Sequence, residues 1–368
     1  MDDKYLKKQI ITYMGNKRKI LGYINEIIDE LEKEFPNELN SGDGFSGSGI
    51  VSRLLKKRSS NLYVNDLAGY SQTLNQCYLS TPSKKMLKEI KNYIDESNKF
   101  ADNPSDDIDK WVQKYWSPID DSNIKKDERV YFTSENGKRI DAYRFFINKI
   151  PKKYQCYLLS SLLIESSIHN NTNGQFSGFY KKDKVGCYGG KTGTDVKRIT
   201  QKIELKMPIL NDGKCNVFIS RNDTNKWIDN IPELDIMYYD PPYNKHPYNI
   251  YYFLLDIIND WDLNINIPNT YRGQPKDWVK SGYNSKVKAF EVFEDLIKRT
   301  KAKYILISYN NDGIISNKKM EEILNKYGIL TIKTFEHKTY NRLKGIANYK
   351  RVKENKSIKE VLYLLKKK

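Results

Sequence analysis

The chain has 368 residues, of which 39% are hydrophobic and 12% aromatic, so it can bury the core of one large domain with an insertion or of two domains. This composition argues against wholesale disorder. The formal net charge of +17 favours a polyanionic partner, and contacts with phosphates would make binding depend on salt. A lysine-rich, solvated surface is the alternative explanation of the same charge.

The sequence gives no indication of a signal peptide or a membrane span. No apolar run follows Met1, and no stretch of about 18 apolar residues occurs. We therefore expect a cytoplasmic location. The cysteines lack metal-ligand spacing and do not cluster with the histidines, which favours free thiols in a reducing compartment over a metal site; they are Cys77, Cys156, Cys187 and Cys215.

The first predicted helix follows a short motif, Tyr13-Met14-Gly15-Asn16-Lys17. Apolar residues recur at helical spacing over residues 20–31, with acidic residues on the other side. The glycine and asparagine of the motif permit a tight turn into this helix, whose N-terminal amides attract a carboxylate. Tyr13 and Lys17 can then flank an amino-acid-like ligand, although a basic helix start is by itself common.

A glycine-rich loop, Asp43-Gly44-Phe45-Ser46-Gly47-Ser48-Gly49, precedes a second helical run that contains Val51. Glycines at this spacing let the chain turn sharply and let a ligand approach bare backbone. A short strand at 62–64 then ends in Asn65-Asp66. A carboxylate at the end of the second strand can accept both ribose hydroxyls of an adenosine-bearing cofactor. Capping of the next helix is the alternative role of this carboxylate.

Between Ala68 and Asp212 the pattern changes to helical runs divided by polar stretches. We predict helices at 86–93, 140–150 and 154–168, a short strand at 130–133, a turn at Asn136-Gly137, and exposed loops at 102–107 and 181–194. Because this block interrupts a sheet pattern, it is predicted to be an inserted domain. Residues 170–180 contain Asn, Gln, Phe and Tyr, which can read or stack on bases or can form an ordinary polar loop.

The sheet pattern resumes at residues 217–219, which Asn222-Asp223 follows; a carboxylate there can meet the amino group of a cofactor. Residues 234–239 are apolar and end at Asp240-Pro241-Pro242-Tyr243. Two prolines cannot continue a strand ladder, so an acidic residue, a stiff turn and an aromatic ring are predicted at the carboxyl end of a strand. Ligands bind at that edge of open α/β sheets.

These four residues suit chemistry on an amino group attached to a ring. Such an amine is a poor nucleophile because its lone pair is delocalised into the ring. Asp240 and the Pro241 carbonyl can accept its two N–H hydrogens, which draws the nitrogen toward tetrahedral geometry. Pro242 fixes the backbone, and Tyr243 can stack on the ring. The loop therefore predicts methyl transfer to an amine, with an ordinary Pro-Pro turn as the alternative.

Beyond this loop the sequence predicts a packed helix at 251–258, strands at 304–307, 329–332 and 361–365, and basic stretches at 270–288 and 338–356. The first basic stretch mixes basic with aromatic residues, as DNA-contacting loops and many flexible surfaces do; our candidates for DNA binding are Tyr271, Arg272, Trp278 and Lys280. Six or seven strands interleaved with helices indicate a mostly parallel α/β sheet, in which the last two strands can form an antiparallel edge.

Together, the motifs at 13–17, 45–49, 65–66 and 240–243 resemble those of the Dam-like family of adenine-N(6) DNA methyltransferases, and their order resembles its alpha group. The middle block, residues 68–212, is also similar, around residues 131–137, to modification enzymes paired with type IIS restriction endonucleases. The resemblance implies a Rossmann-like methyltransferase sheet at 1–67 and 213–368 and an inserted, mostly helical target-recognition domain at 68–212. It implies S-adenosylmethionine as cofactor, double-stranded DNA as substrate and a restriction endonuclease as possible partner.

The resemblance also implies roles for single residues. Those implied to bind the cofactor are Tyr13, Lys17, Phe45, Gly47, Gly49, Asp66, Asp223 and Asp240, and those implied to act in catalysis are Asp240, Pro241, Pro242 and Tyr243. The implied mechanism flips the target adenine out of the duplex. One departure is the first motif, because Gly15-Asn16-Lys17 replaces the Gly-Gly-Lys common in Dam proper and points to another subgroup.

Related reactions remain as alternatives, namely methylation of cytosine at its exocyclic amine, of adenine in RNA, or of a protein glutamine. Asp rather than Ser or Asn at position 240 favours adenine, and the positive charge favours nucleic acid. The absence of a Pro-Cys pair removes the nucleophile expected for methylation of cytosine on carbon. In another class, the chain could be a DNA-binding module with a relic cofactor fold, although the intact glycine loop and Asp240 loop argue against decay.

Overall fold

The computed structural model describes residues 3–190, 193, 195–276, 281–337 and 358–368. The strands in this part of the chain are β1 (Leu39–Asp43), β2 (Ser59–Asp66), β3 (Lys181–Lys182), β4 (Val185–Gly186), β5 (Asn216–Arg221), β6 (Leu234–Tyr239), β7 (Ala302–Asn310), β8 (Gly328–His337) and β9 (Ile358–Lys367).

The α-helices are α1 (Lys4–Lys7), α2 (Leu21–Glu32), α3 (Ile50–Lys56), α4 (Gly69–Tyr78), α5 (Lys84–Asp102), α6 (Trp111–Trp116), α7 (Ser134–Lys149), α8 (Lys152–Ile168), α9 (Val196–Thr200), α10 (Thr224–Trp227), α11 (Asn249–Asp260), α12 (Ala289–Arg299) and α13 (Asn317–Asn325). Within the described ranges, none of these helices combines the length and apolar character needed to cross a membrane.

Seven strands form the main sheet, in the order β5-β2-β1-β6-β7-β9-β8. The pairs β1–β2, β1–β6, β2–β5 and β6–β7 are parallel, and only β9 runs antiparallel to its neighbours, β7 and β8. The predicted α/β fold with a mostly parallel sheet and an antiparallel end is therefore confirmed. Strands β3 and β4 form a separate hairpin.

Strand β6 shows that the sheet is covered on both faces. Ile236 and Tyr238 pack with helices α2 and α3 on one face. Met237 and Tyr239 point the other way and pack with α12 and α13, as the two-residue period of a strand requires. Burying an aliphatic side chain such as that of Ile236 contributes about 1.5–3 kcal/mol. Strand β6 is thus a firmly held central strand, and Asp240 follows it directly.

The segment between β2 and β5 contains helices α4 to α9 and the β3–β4 hairpin. Helix α5 is longer than predicted at both ends. Ser83 Oγ accepts a hydrogen bond from Met86 N at 3.2 Å and starts the helix two residues early, and the buried face continues through Ile94, Ser97 and Ala101. Helices α4 to α8 share a hydrophobic core with α11. The middle block is therefore packed against the helix that follows the Asp240 loop.

Residues 130–133 do not form the predicted strand. They are buried bends within this core, where Tyr131 N donates to Trp116 O at 2.9 Å and Tyr131 O accepts from Asn171 N at 2.7 Å. The backbone hydrogen bonds of this segment are made with the end of a helix and with a loop. Its β-branched and aromatic side chains are therefore buried in the core without forming a strand.

The Asn136-Gly137 pair is not a turn, because it lies inside helix α7. Thr133 Oγ1 accepts from Asn136 N at 3.0 Å and caps the helix before this pair. Gly137 allows close packing, since a Cβ there would lie 2.9 Å from the Cα of Gln113. The helix predicted at 140–150 therefore begins earlier than expected.

The region 181–194, predicted as a loop, contains the β3–β4 hairpin. Lys181 pairs with Gly186 and Lys182 with Val185, so two residues form the turn. Asp183 and Lys184 have φ values of 50° and 71°, the backbone that two-residue hairpin turns require.

Candidate active site

The sheet reverses its winding direction between β1 and β6. From β1 the chain proceeds to β2 and β5 on one side, and from β6 to β7 on the other. At such a point a crevice opens at the carboxyl ends of the strands. The glycine-rich loop leaves β1 and the Asp240 loop leaves β6 here, and Gly44 N donates to Tyr238 O at 3.1 Å, which holds the two strand ends together.

A cavity of about 580 Å³ occupies this crevice, a size typical of small-molecule sites. The predicted site residues in its lining are Tyr13, Lys17, Phe45, Gly47, Asp66, Asp223, Asp240 and Pro242. They come from five separate stretches of the sequence. The structure thus brings most of the predicted site residues to one place.

Asp66 fixes the glycine-rich loop. Gly47 N donates to Asp66 Oδ2 at 2.7 Å, and Ala68 N donates to Asp66 Oδ1 at 2.9 Å. Ala68, and not Asp66, occupies the N-cap position of α4. Burial raises the pKa of Asp66, and the backbone donors oppose that rise. Because each carboxylate oxygen can accept more than one hydrogen bond, Asp66 can still accept from a ligand in the cavity.

Two glycines shape the loop in different ways. Gly47 presents bare backbone to the cavity, and a Cβ there would lie 2.9 Å from Cε1 of Tyr13. Gly49 has a φ of 75° and occupies the N-cap of α3. It is not part of the cavity lining, and it allows the turn by which the loop enters the helix. The ring of Phe45 meets Tyr283 edge-on at 5.2 Å between centroids, which fixes it at the cavity wall.

Tyr13 belongs to a stack of aromatic rings. Its ring lies 4.9 Å from that of Tyr252 and 5.2 Å from that of Tyr248, with interplanar angles of 18° and 11°. Met14 N also donates to Tyr252 Oη at 2.7 Å. The N-terminal motif is therefore held against α11, and Tyr13 and Tyr248 form an aromatic part of the cavity wall.

Asp240 lies in a buried group of charges. Lys17 Nζ is 3.0 Å from Asp240 Oδ1 and 2.5 Å from Glu360 Oε1, and the Lys17 side chain is only 4% exposed. Burial raises the pKa of Asp240 to about 7, the positive charge of Lys17 lowers it, and Glu360 raises it further. Burial also disfavours the charged form of Lys17, but the two carboxylates prevail and its pKa lies well above the usual value. Lys17 is therefore a permanent cation at neutral pH.

Tyr243 packs behind the cavity wall that Asp240 and Pro242 form. It is 8% exposed, and its ring meets that of Tyr309 edge-on at 6.1 Å. The Nζ atom of Lys17 lies 5.7 Å from the centre of the Tyr243 ring. The ring is thus adjacent to the Asp240 ion pair and is anchored by its neighbours.

Asp223 combines two roles. Its carboxylate accepts from Lys226 N at 3.2 Å and caps helix α10, and the residue also lines the cavity where β5 ends. This position is next to the end of β2, which carries Asp66. Asp223 therefore remains a candidate for contact with a ligand.

The residues predicted to bind DNA lie apart from the cavity lining where the structure describes them. Tyr271 is 46% exposed, its hydroxyl donates to Phe179 O at 3.2 Å, and Lys181 Nζ lies 3.8 Å from its ring centre. The carbonyl of Arg272 accepts from Trp116 Nε1 at 3.3 Å. This loop therefore rests on the middle block. Trp278, Lys280 and the basic stretch 338–356 lie outside the described residues.

The segment 170–180 is mostly held internally. Asn171 is buried, and its amide donates to the carbonyls of Val130 and Cys187, both at 2.9 Å. Phe176 belongs to the core of the middle block. These side chains stabilise the loop, so its Asn and Phe content reflects packing more than base contact.

The sequence prediction missed Glu360 and Tyr248. Glu360 belongs to β9, and its place near Asp240 depends on the antiparallel register that sets it opposite Asn310. Tyr248 lies between the Asp240 loop and α11, and its role depends on stacking with Tyr13. Neither contact has a local pattern in the sequence.

A sequence model of the D12 class of N6 adenine-specific DNA methyltransferases matches residues 13–337, which include the N-terminal motif, the glycine-rich loop and the Asp240 loop. The chain belongs to this family. The predicted family and the predicted enzyme class are thereby confirmed, and membership favours adenine in DNA over the cytosine and RNA alternatives.

This D12-class methyltransferase is 28% identical to the type II methyltransferase M.NlaIII of Neisseria lactamica, over 97% of the chain and 99% of that protein. It is 27% identical to the modification methylase LlaI of Lactococcus lactis subsp. lactis and 28% identical to the modification methylase StsI of Streptococcus sanguinis. These two matches cover 97% of the chain but only 55% and 52% of the relatives, so the chain spans about half their length.

Proposed function

We propose that this protein moves the methyl group of S-adenosylmethionine to the exocyclic amine of a flipped adenine in double-stranded DNA, as the modification enzyme of a restriction–modification system. One observation carries the proposal: the Asp240 loop, the glycine-rich loop and Asp66 meet at a single cavity at the switch point of the sheet. The relatives' names, type II methyltransferase and modification methylase, support it.

The residues of the cavity fit S-adenosylmethionine. Asp66 supplies acceptors for ribose hydroxyls at the end of β2, and the bare backbone of Gly47 leaves room for the methionine part beside Phe45. An ammonium has three donors, so Lys17 can bind a carboxylate of the ligand in addition to its two partners. Asp223, which lines the same cavity, is proposed to meet the adenine end. When bound, this cofactor supplies an electrophilic methyl group.

Asp240 prepares the target amine for attack. Its carboxylate and the Pro241 carbonyl accept the two N–H hydrogens, so that the nitrogen lone pair is freed toward the cavity. Pro242 restricts the backbone, which keeps the acceptors in position before the base arrives. The Asp240 side chain is only 19% exposed, so a base in the cavity would cover it and exclude water, which strengthens these interactions.

A base inside a duplex cannot reach this cavity, so the target adenine must be flipped out, at a cost of a few kcal/mol. Tyr243 is proposed to stack on the flipped ring. Because Tyr243 packs against Tyr309 behind the wall, this contact requires the ring to turn toward the cavity when the base enters. We therefore expect the Asp240 loop to adjust on DNA binding.

We propose that residues 68–212 act as the target-recognition domain and residues 1–67 and 213–368 as the methyltransferase domain. The middle block supports the loop that carries Tyr271 and Arg272, as the contacts with Phe179 and Trp116 show. The net charge of +17 supports binding of a polyanion. Within the same proposal, the protein acts in the cytoplasm beside a cognate restriction endonuclease.

The direct test is to map methylated bases in the DNA of a host that expresses the chain. We expect N6-methyladenine at one short sequence and unmodified adenines elsewhere. Methylation confined to cytosine, or to RNA, would replace the proposal by one of its alternatives. A protein that binds DNA but gives no heat with S-adenosylmethionine in calorimetry would be a binding module.

Replacing Asp66 by alanine is expected to weaken S-adenosylmethionine binding about tenfold to a hundredfold. A hydrogen bond to a charged group contributes about 1.5–3 kcal/mol, and the amides of Gly47 and Ala68 would lose their acceptor as well. Calorimetry measures the effect. Asp66→Asn, which keeps one acceptor oxygen, should lose less, and an unchanged affinity in Asp66→Ala would remove this residue from the cofactor site.

Replacing Arg272 by alanine is expected to weaken duplex binding and to reduce the slope of log K against log salt by about 1, as loss of one phosphate contact predicts. Affinity for S-adenosylmethionine should stay within about twofold. Lys303→Ala is the control, because Lys303 is exposed at the amino end of β7, on the opposite edge of the sheet from the cavity. Equal duplex affinity in Arg272→Ala and the unmodified protein would end this assignment.

A further inference from the structure

Glu360 is a charged residue beside the cavity, in contact with Lys17, and the proposed reaction gives it no role. It lies near the start of β9, opposite Asn310 at the end of β7, and the antiparallel pairing brings it to the edge of the sheet that carries Asp240. Its Oε1 atom accepts from Lys17 Nζ at 2.5 Å and from Ser308 Oγ at 2.8 Å. The Glu360 side chain is 14% exposed.

Lys17 is shared between two carboxylates. The same ammonium lies 3.0 Å from Asp240 Oδ1 and 2.5 Å from Glu360 Oε1. The two contacts differ in kind: Lys17 Nζ donates a hydrogen bond to Glu360 Oε1, whereas the buried Oδ1 atom of Asp240 lies at ion-pair distance and has no hydrogen-bond partner among the described residues. If Asp240 were the sole anion beside Lys17, its release would leave a buried charge without a partner, which is strongly unfavourable.

We propose that Glu360 is a positioning residue for methyl transfer: it holds the Lys17 ammonium, so that Asp240 can release this cation and accept the amine of the target base. The inference rests on the proposed function of Asp240. Ser308 fixes the carboxylate of Glu360 from the neighbouring strand, and the short contact to Lys17 shows which carboxylate holds the ammonium more closely.

The charges around Asp240 give this role a measurable signature. Lys17 from the N-terminal motif, Glu360 from β9 and Asp43 from β1 face it, together with the phenol groups of Tyr238, Tyr243 and Tyr248. Burial has the largest effect and raises the pKa of Asp240. Of the charged groups, Lys17 lowers this pKa and Glu360 raises it. Neutralising Glu360 therefore lowers the pKa of Asp240 and strengthens its pairing with Lys17.

The test compares Glu360→Gln with Ser308→Ala in methyl transfer from tritiated S-adenosylmethionine to unmethylated plasmid DNA. For Glu360→Gln we expect kcat at pH 8 to fall at least about tenfold, while cofactor affinity stays within about threefold. The acid limb of the pH profile of kcat should move to lower pH by about half a unit or more, because loss of the Glu360 charge lowers the pKa of Asp240. Ser308→Ala keeps both charges and should leave the acid limb in place.

A merely structural role for Glu360 would lower kcat without moving the acid limb, and that result, or unaltered kcat, overturns the inference. If Glu360→Gln does not fold, Glu360→Asp replaces it, because that variant keeps the charge. It should retain the acid limb and most of the rate; a shifted limb opposes the inference. Asp240→Ala distinguishes failure of the proposed function from failure of this inference. If Asp240→Ala is inactive and Glu360→Gln is fully active, only the role of Glu360 is rejected.

Discussion

Replacing Asp240 by alanine is expected to abolish methyl transfer, with kcat lowered at least about a thousandfold, while affinity for duplex DNA stays within about tenfold. The carboxylate supplies one of the two acceptors that make the amine nucleophilic, and loss of one preorganised group of this kind costs about 10²–10³ in rate. Removal of Asp240 also leaves the Lys17 ammonium with one carboxylate partner, Glu360, instead of two. Duplex binding rests mainly on phosphate contacts elsewhere, so it should survive.

Single-turnover methylation and a duplex-binding titration check this prediction together. Asp312→Asn is a matched control, because Asp312 is an exposed carboxylate just beyond the end of β7, the strand beside β6. It should retain full activity. Undiminished turnover in Asp240→Ala would refute the catalytic assignment.

The fold of Asp240→Ala should be retained. Burial raises the pKa of this carboxyl group to about 7, so its ionised form is costly in the folded protein at neutral pH. Lys17 keeps Glu360 as a partner when Asp240 is removed. Thermal unfolding at pH 8 should therefore change by only a few degrees, which separates loss of catalysis from loss of structure.

The sequence predicts those parts of the site that local patterns determine. Strand β6 is apolar and ends at two prolines, so the position of Asp240 at a strand end follows from residues within a single window. The turns at Gly47 and Gly49 likewise depend on glycines that the sequence shows directly. Both glycines adopt positive φ in the structure, and only Gly47 lines the cavity.

Other parts depend on contacts that no local window contains. Strand β1 reads Leu39-Asn40-Ser41-Gly42-Asp43 and has no β-branched residue, so the sequence does not predict it. It is a strand because β2 and β6 pair with it on both sides, and Gly42 fits because a Cβ there would lie 2.6 Å from Cε of Met237. Tertiary pairing here overrides residue preference.

The opposite case is residues 130–133, where the sequence predicts a strand but the β-like residues are buried among helices and form none. The hydrophobicity of this segment indicates that it is buried but not that it is a strand, because its conformation depends on packing with the neighbouring helices. Glu360 shows the same limit for function, because its register opposite Asn310 brings it to Lys17 across the whole length of the chain. Long-range register therefore sets the electrostatics of the site, and the motifs set its chemistry.

Replacing Gly15 by alanine is expected to lower kcat about a hundredfold, although Gly15 has no side chain that could take part in the reaction. Its φ of 76° is strained for any residue with a Cβ. The new methyl group would collide with the hydroxyl of Tyr243 and lie 3.4 Å from that of Tyr248. Because Tyr243 is anchored beside Asp240, the clash would shift the Asp240 loop, and a shift of about 1 Å can cost a hundredfold in rate. Methylation kinetics and thermal unfolding measure the two consequences.

Gly22→Ala is the matched control for Gly15→Ala, since both glycines lie in the same N-terminal segment. Gly22 is exposed in helix α2, and a Cβ there would meet nothing within 4 Å. The control should raise the free energy of unfolding by about 0.5–1 kcal/mol and leave kcat unchanged, because alanine is the better helix former. Gly15→Ala should instead lower the free energy of unfolding by about 1–2 kcal/mol. Equal activity of the two variants would show that the clash with Tyr243 does not displace the Asp240 loop.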